Sequence, residues 1–177
     1  AKYGFKEVGN DLYDYYEDIF ADLPLEKKKE EIEKMRHIAE ETDSRHLLTE
    51  TKLLDILCLP EGDDDQIFDK ADKLLKMGDE AAGAGDVCIH LRSMESAFDL
   101  YWRSAKYARA FKLIYLIDKV LRDTTEEEFP LKNAINFRIG EAYFFFNDYD
   151  KALPYLHKSV RPSNLYIDRS NLEAMNM

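Results

Sequence analysis

The sequence predicts an all-α fold, a right-handed α-solenoid of antiparallel helix pairs with about nine helices and a period of about 42 residues. Apolar residues recur at helical spacing, and no segment shows the two-residue alternation of a half-buried strand. The chain has 34% charged residues but only 7 Gly and 5 Pro, which is typical of a well-packed helical protein. The second helices of the pairs are predicted to begin near positions 25, 66, 107 and 149, so successive starts differ by 41, 41 and 42. This regular recurrence is the main reason to expect a repeat protein.

Turn and capping signals separate the predicted helices. Pro24 can start a helix, and Asp43 with Ser44 can cap the following one. The loop at residues 60–65 marks a further boundary. The Gly-rich stretch at residues 83–86 marks another, where Asp86 can cap the next helix. The helices are predicted at residues 6–21, 25–41, 45–57, 66–80, 87–103, 106–122, 130–146 and 149–160, with a ninth starting near residue 165.

Residues 139–156 are predicted to form one helical hairpin. Gly140 has no side chain, so a second helix can approach it closely, and Tyr143 lies on the same face. Asn147-Asp148 is expected to break the first helix and cap the second. Ala152 then offers a small contact face, with Leu156 one turn further on.

A second copy of the pattern lies one period earlier in the chain. Tyr101 and Ala110 occupy the positions of Tyr143 and Ala152, while Phe98 stands in place of Gly140. The order Ile-Gly-x-x-Tyr … Ala-x-x-x-Leu resembles the tetratricopeptide repeat, whose usual period is about 34 residues. The extra length is assigned to residues 123–129 and to longer helices. The resemblance implies a scaffold that binds other chains, with no reaction of its own.

The resemblance also implies where a partner would bind, namely the concave face lined by the first helices of the pairs. Trp102 beside Arg103 would supply an aromatic anchor next to a cation, although Trp102 could instead pack between repeats. The residues at 144–146 are all Phe, and they span about 200° of a helical wheel, so at least one should lie outside the core. The implied binding residues are Arg92, Glu95, Asp99, Trp102, Arg103, Phe137, Arg138, Glu141, Phe144 and Phe145.

Composition argues against several classes of partner. The net charge of −11 disfavours nucleic acid and anionic membranes, and no apolar run is long enough to span a bilayer. Cys58 and Cys88 lie in apolar contexts and are interpreted as buried free thiols. They leave both a cytoplasmic and a periplasmic location open.

No catalytic or cofactor-binding motif is evident. The histidines lack metal-binding spacing, and the acidic cluster at residues 61–65 is interpreted as a solvated loop rather than a Ca²⁺ site. Gly78, Gly83 and Gly85 are interpreted as helix punctuation rather than as a phosphate-binding turn. We therefore expect neither metal nor cofactor.

The preferred function is a non-catalytic scaffold that binds a protein or peptide along the concave groove. The alternative is the ligand-sensing input region of a larger, bacterial transcriptional or signalling regulator. One repeat domain is expected over residues 1–177, with weak repeats at 1–85, clearer repeats at 86–162 and the start of a further repeat at 165–177. That last segment suggests a fragment of a longer array, in which uncovered Leu172 and Met175 would favour self-association.

Overall fold

The computed structural model describes residues 23–125, 128–129 and 131–159, and these residues form helices and no strand. The all-α prediction is therefore confirmed for this part of the chain. The predicted helices at 6–21 and near 165 lie outside it, as do Leu172 and Met175. The described helices are α1 (Leu25–Glu41), α2 (Arg45–Leu57), α3 (Asp64–Gly83), α4 (Val87–Arg103), α5 (Tyr107–Asp123), α6 (Lys132–Phe145) and α7 (Tyr149–Ser159).

The chain forms two compact units, one spanning Ala1–Asp123 and the other Thr124–Met177. In the first unit, α1 packs on α2, α3 on α4, and α4 on α5, while α2 also contacts α3 and α4. In the second unit, α6 packs on α7. The arrangement of all helix pairs as one solenoid stays a prediction.

Four of the helix connections share one turn geometry. Asp43, Gly85, Ala105 and Asn147 each have a positive φ, between 49° and 80°. In each turn the next residue's N–H donates to the carbonyl five positions earlier, at 2.8–3.0 Å, as in a Schellman motif. The turns pair up at one period, since 85 − 43 and 147 − 105 are both 42. Two pairs of turns are thus separated by the period predicted from the sequence.

Side-chain caps begin three of the helices. Ser44, Asp63 and Asp86 accept hydrogen bonds from the amides of Leu47, Gln66 and Ile89, respectively. The caps predicted at Ser44 and Asp86 are confirmed. The cap at Asp63 explains why α3 starts at Asp64, two residues before the predicted start.

Close helix contact occurs at two glycines. A Cβ on Gly140 would lie 2.8 Å from Cγ and Cδ2 of Leu156 and 3.1 Å from its backbone nitrogen, which confirms the predicted approach. Gly78 was interpreted as helix punctuation, and this was wrong. It is buried inside α3, where an added Cβ would lie 3.1 Å from Cβ of Ser93 on α4.

Candidate binding surfaces

Three ion pairs in the first unit join residues that are 42 positions apart, since 92 − 50, 103 − 61 and 106 − 64 are all 42. The first pair joins α2 to α4, and the second joins the loop after α2 to the end of α4. The third joins the first residue of α3 to the turn after α4. This separation equals the period predicted from the sequence. The pairs are Glu50 with Arg92, Glu61 with Arg103 at 2.9 Å, and Asp64 with Lys106 at 2.6 Å.

The pair between Glu50 and Arg92 lies in the interior. The Glu50 side chain is 1% exposed and that of Arg92 is 15% exposed. The second carboxylate oxygen of Glu50, Oε2, is buried and has no hydrogen-bond partner among the described residues. Since a buried carboxylate is costly without its counter-charge, Arg92 is needed inside the protein.

Arg103 is also engaged within the protein. Its Nε donates to Asp99 at 2.6 Å, and its Nη1 donates to Glu61. Lys70 is buried and donates to the same Glu61 carboxylate at 2.5 Å and to the Leu57 carbonyl at 2.6 Å. Burial acts to raise the pKa of Glu61, but the hydrogen bonds from Arg103 and Lys70 outweigh it and lower that pKa. Hence Glu61 belongs to a structural network rather than to a solvated loop.

A further polar contact joins α2 to the N-terminus of α4. Nδ1 of His46 lies 2.9 Å from Oδ2 of Asp86. Burial acts to raise the pKa of Asp86, but the hydrogen bonds with His46 and the Ile89 amide lower it overall. Burial raises the pKa of nearby Cys88 to about 12, so its thiol stays protonated at neutral pH.

Trp102 is part of an aromatic cluster formed by α4 and α5. Its ring stacks on Phe98 at 5.9 Å and meets Tyr107 and Phe111 edge-on at 5.1 and 6.2 Å. The ring is partly exposed and has packing partners on both helices. It therefore contributes to the hairpin itself, whatever it contributes to binding. Glu95 and Asp99 on the same helix are also partly exposed.

The predicted residues of the second unit differ in exposure. Phe137 is buried, because α6 is buried around most of its circumference. Arg138 and Glu141 are roughly half-exposed, and Nη1 of Arg138 lies 3.8 Å from Oε2 of Glu141. Phe144 and Phe145 are exposed, at 37% and 62%. The prediction that at least one of the three Phe residues at 144–146 lies outside the core is confirmed.

These phenylalanines belong to a larger exposed group at the α6–α7 turn, which we call the aromatic surface. The ring of Phe144 meets Tyr149 edge-on at 5.2 Å, the geometry that Trp102 and Tyr107 show one period earlier. Sequence reasoning missed the members on α7, although their four-residue spacing puts them on one helix face. The aromatic surface comprises Phe144, Phe145, Phe146, Tyr149 and Leu153.

Two other kinds of site are absent from the described residues. These residues contain no cluster of three or more His, Cys, Asp or Glu arranged to hold a metal ion. No helix among them combines the length and apolarity needed to cross a bilayer. Comparisons with protein-family models, curated proteins and solved structures found no match.

Proposed function

We propose that this protein is a non-catalytic helical-repeat scaffold that binds a partner protein or peptide. Turns, ion pairs and aromatic contacts recur at one shared period, and this supports a tetratricopeptide-like array of hairpins. In such an array the hairpins build a framework, and exposed side chains on it determine what binds.

The aromatic surface carries this proposal. It groups four aromatic rings and a leucine on one short hairpin, and all five side chains are exposed. Large apolar groups are costly to leave in water, and aromatic residues are enriched where proteins bind one another. Phe145 has the most exposed side chain of the group and is the best candidate for an anchor.

The charged residues predicted for the groove divide into two kinds. Arg92 and Arg103 are engaged by the protein's own carboxylates, so we assign them to holding neighbouring hairpins together. Arg138 and Glu141 are half-exposed and separated by 3.8 Å, and such a pair contributes little to stability. Both side chains therefore reach the surface of the α6–α7 hairpin, where Arg138 would favour a carboxylate of a partner.

Affinity capture with matched variants tests the proposal. Phe145→Ala should weaken partner binding by about 1 kcal/mol or more, because it removes an exposed aromatic anchor. Ile38→Ala removes an exposed apolar side chain from α1 and serves as the control. Trp102→Ala is a poor test, since that ring also packs between α4 and α5. Partners captured equally by the parent and by Phe145→Ala would contradict the assignment.

A further inference from the structure

A second exposed face lies on α5, in the first unit. The buried stripe of this helix consists of Ala110, Leu113, Ile114, Ile117 and Leu121. Tyr115 and Leu116 lie outside that stripe, at 69% and 47% exposed. Tyr115 is the most exposed large hydrophobic residue in the described part of the chain. The core therefore does not account for these two side chains.

Lysines bracket the two apolar residues. Lys112 lies one turn before them and Lys119 one turn after them, so all four side chains are neighbours on the helix surface. We call these four residues, together with Arg109, the α5 face. At 100° per residue they fall within an arc of about 120°. Asp123 is the acidic residue of α5 within this arc, at its C-terminal end.

The cations of the α5 face differ from Arg92 and Arg103 of α4, which form ion pairs within the protein. Within the described chain, Arg109, Lys112 and Lys119 have no acidic partner at ion-pair distance. Arg109 is held instead over the ring of Phe68, with 4.4 Å between the guanidinium carbon and the ring centroid. Such stacking leaves the N–H edges of a guanidinium able to donate to a carboxylate.

We infer that the α5 face is a second docking surface, and that it binds an acidic peptide segment containing a large apolar side chain. The apolar side chain would pack on Tyr115 and Leu116, and carboxylates would pair with the flanking lysines. Lys112 and Lys119 are seven residues apart, which is about 10 Å along a helix. Two carboxylates separated by two helical turns match that distance.

Charge favours a short peptide over an anionic membrane. The chain has a net charge of −11, while the α5 face holds three cations without an acidic partner in the described chain. A protein of this net charge is repelled by an extended anionic surface such as a membrane. A short segment can contact the cationic face alone. This surface is independent of the aromatic surface, because it lies on another helix and uses other residues.

Selection of a random peptide library on the full chain tests the inference. Enriched peptides should carry a large apolar residue flanked by two acidic residues at the predicted separation. Their affinity should fall about tenfold or more with Lys112→Glu or Tyr115→Ala. It should change less than about twofold with Lys76→Glu, an equal charge change at an exposed position on α3.

Two further measurements distinguish the α5 face from the aromatic surface and from a membrane-binding face. Peptides that respond to Phe145→Ala but not to the α5 substitutions would bind the aromatic surface. If every enriched peptide behaves so, or if no acidic pattern is enriched, the inference is wrong. Binding to phosphatidylserine vesicles without binding to acidic peptides would also overturn it, by assigning the face to a membrane.

Discussion

Replacing Gly140 with alanine gives the sharpest test of how the α6–α7 hairpin is packed. Helix propensity alone favours alanine over glycine by about 1 kcal/mol within a helix. The new Cβ, however, would lie 2.8 Å from the Leu156 side chain and 3.1 Å from the Leu156 backbone nitrogen. The side chain can adopt another rotamer, but the backbone can yield only if α7 moves. Overpacking of this kind costs about 1–3 kcal/mol, so we expect a net loss of about 1 kcal/mol.

Gly83→Ala is the matched control, since an added Cβ there meets no atom within 4 Å. This variant should be stabilised by up to about 1 kcal/mol. Urea unfolding followed by circular dichroism gives the free energies, and amide hydrogen exchange localises any change to α6 and α7. Gly140→Ala should cost less when Leu156 is also alanine, because part of the clash is then removed. If Gly140→Ala stabilises the protein as much as Gly83→Ala does, the packing described for this hairpin is wrong.

Three further predictions concern the turns and the polar contacts. Ala105→Gly should stabilise the protein by about 0.5–1 kcal/mol, because alanine tolerates a positive φ poorly. The gain should exceed that of Asn147→Gly, because asparagine tolerates a positive φ better than alanine does. Equal shifts in melting temperature for the two variants would contradict this. Arg92→Ala should lower the free energy of unfolding in urea by about 3 kcal/mol, because it leaves the buried Glu50 carboxylate without its counter-charge. Arg138→Ala should lower it by less than about 1 kcal/mol, because that pair is exposed. Similar losses would show that the Arg92 pair contributes no more than an exposed one. The pKa of Asp86 in the folded protein lies below its ordinary 3.8. The ionised carboxylate therefore stabilises the fold fully above pH 3.8, and this stabilisation is lost as the pH falls through the folded-state pKa. Asp86→Asn keeps a capping oxygen and should weaken this acid-induced loss in a pH series; an unchanged acid limb would exclude the Asp86 carboxylate as its source.

Local features of the fold could be predicted because they depend on residues close together in the chain. Ser44 and Asp86 cap helices as expected, and the absence of a side chain at Gly140 indicated that a second helix approaches there. Gly78 was misjudged because a glycine inside a helix is ambiguous until its neighbour is known. Only packing on Ser93 of α4 reveals its role.

The candidate site was harder to predict, because exposure and pairing are set by tertiary structure. Arg92 looks like a surface cation in the sequence, yet its partner Glu50 lies on another helix. Phe137 and Phe145 are chemically alike, but one is buried and the other is exposed. A single-helix pattern cannot separate such residues when neighbouring elements cover several sides of the helix.

The binding footprint of a captured partner tests the central claim most directly. Hydrogen exchange of the full chain, with and without that partner, would locate the contact surface. The proposal predicts protection centred on the α6–α7 turn and on the first turns of α7, and loss of this protection in Phe145→Ala. A footprint that leaves residues 144–153 unprotected would contradict the scaffold function assigned to this hairpin.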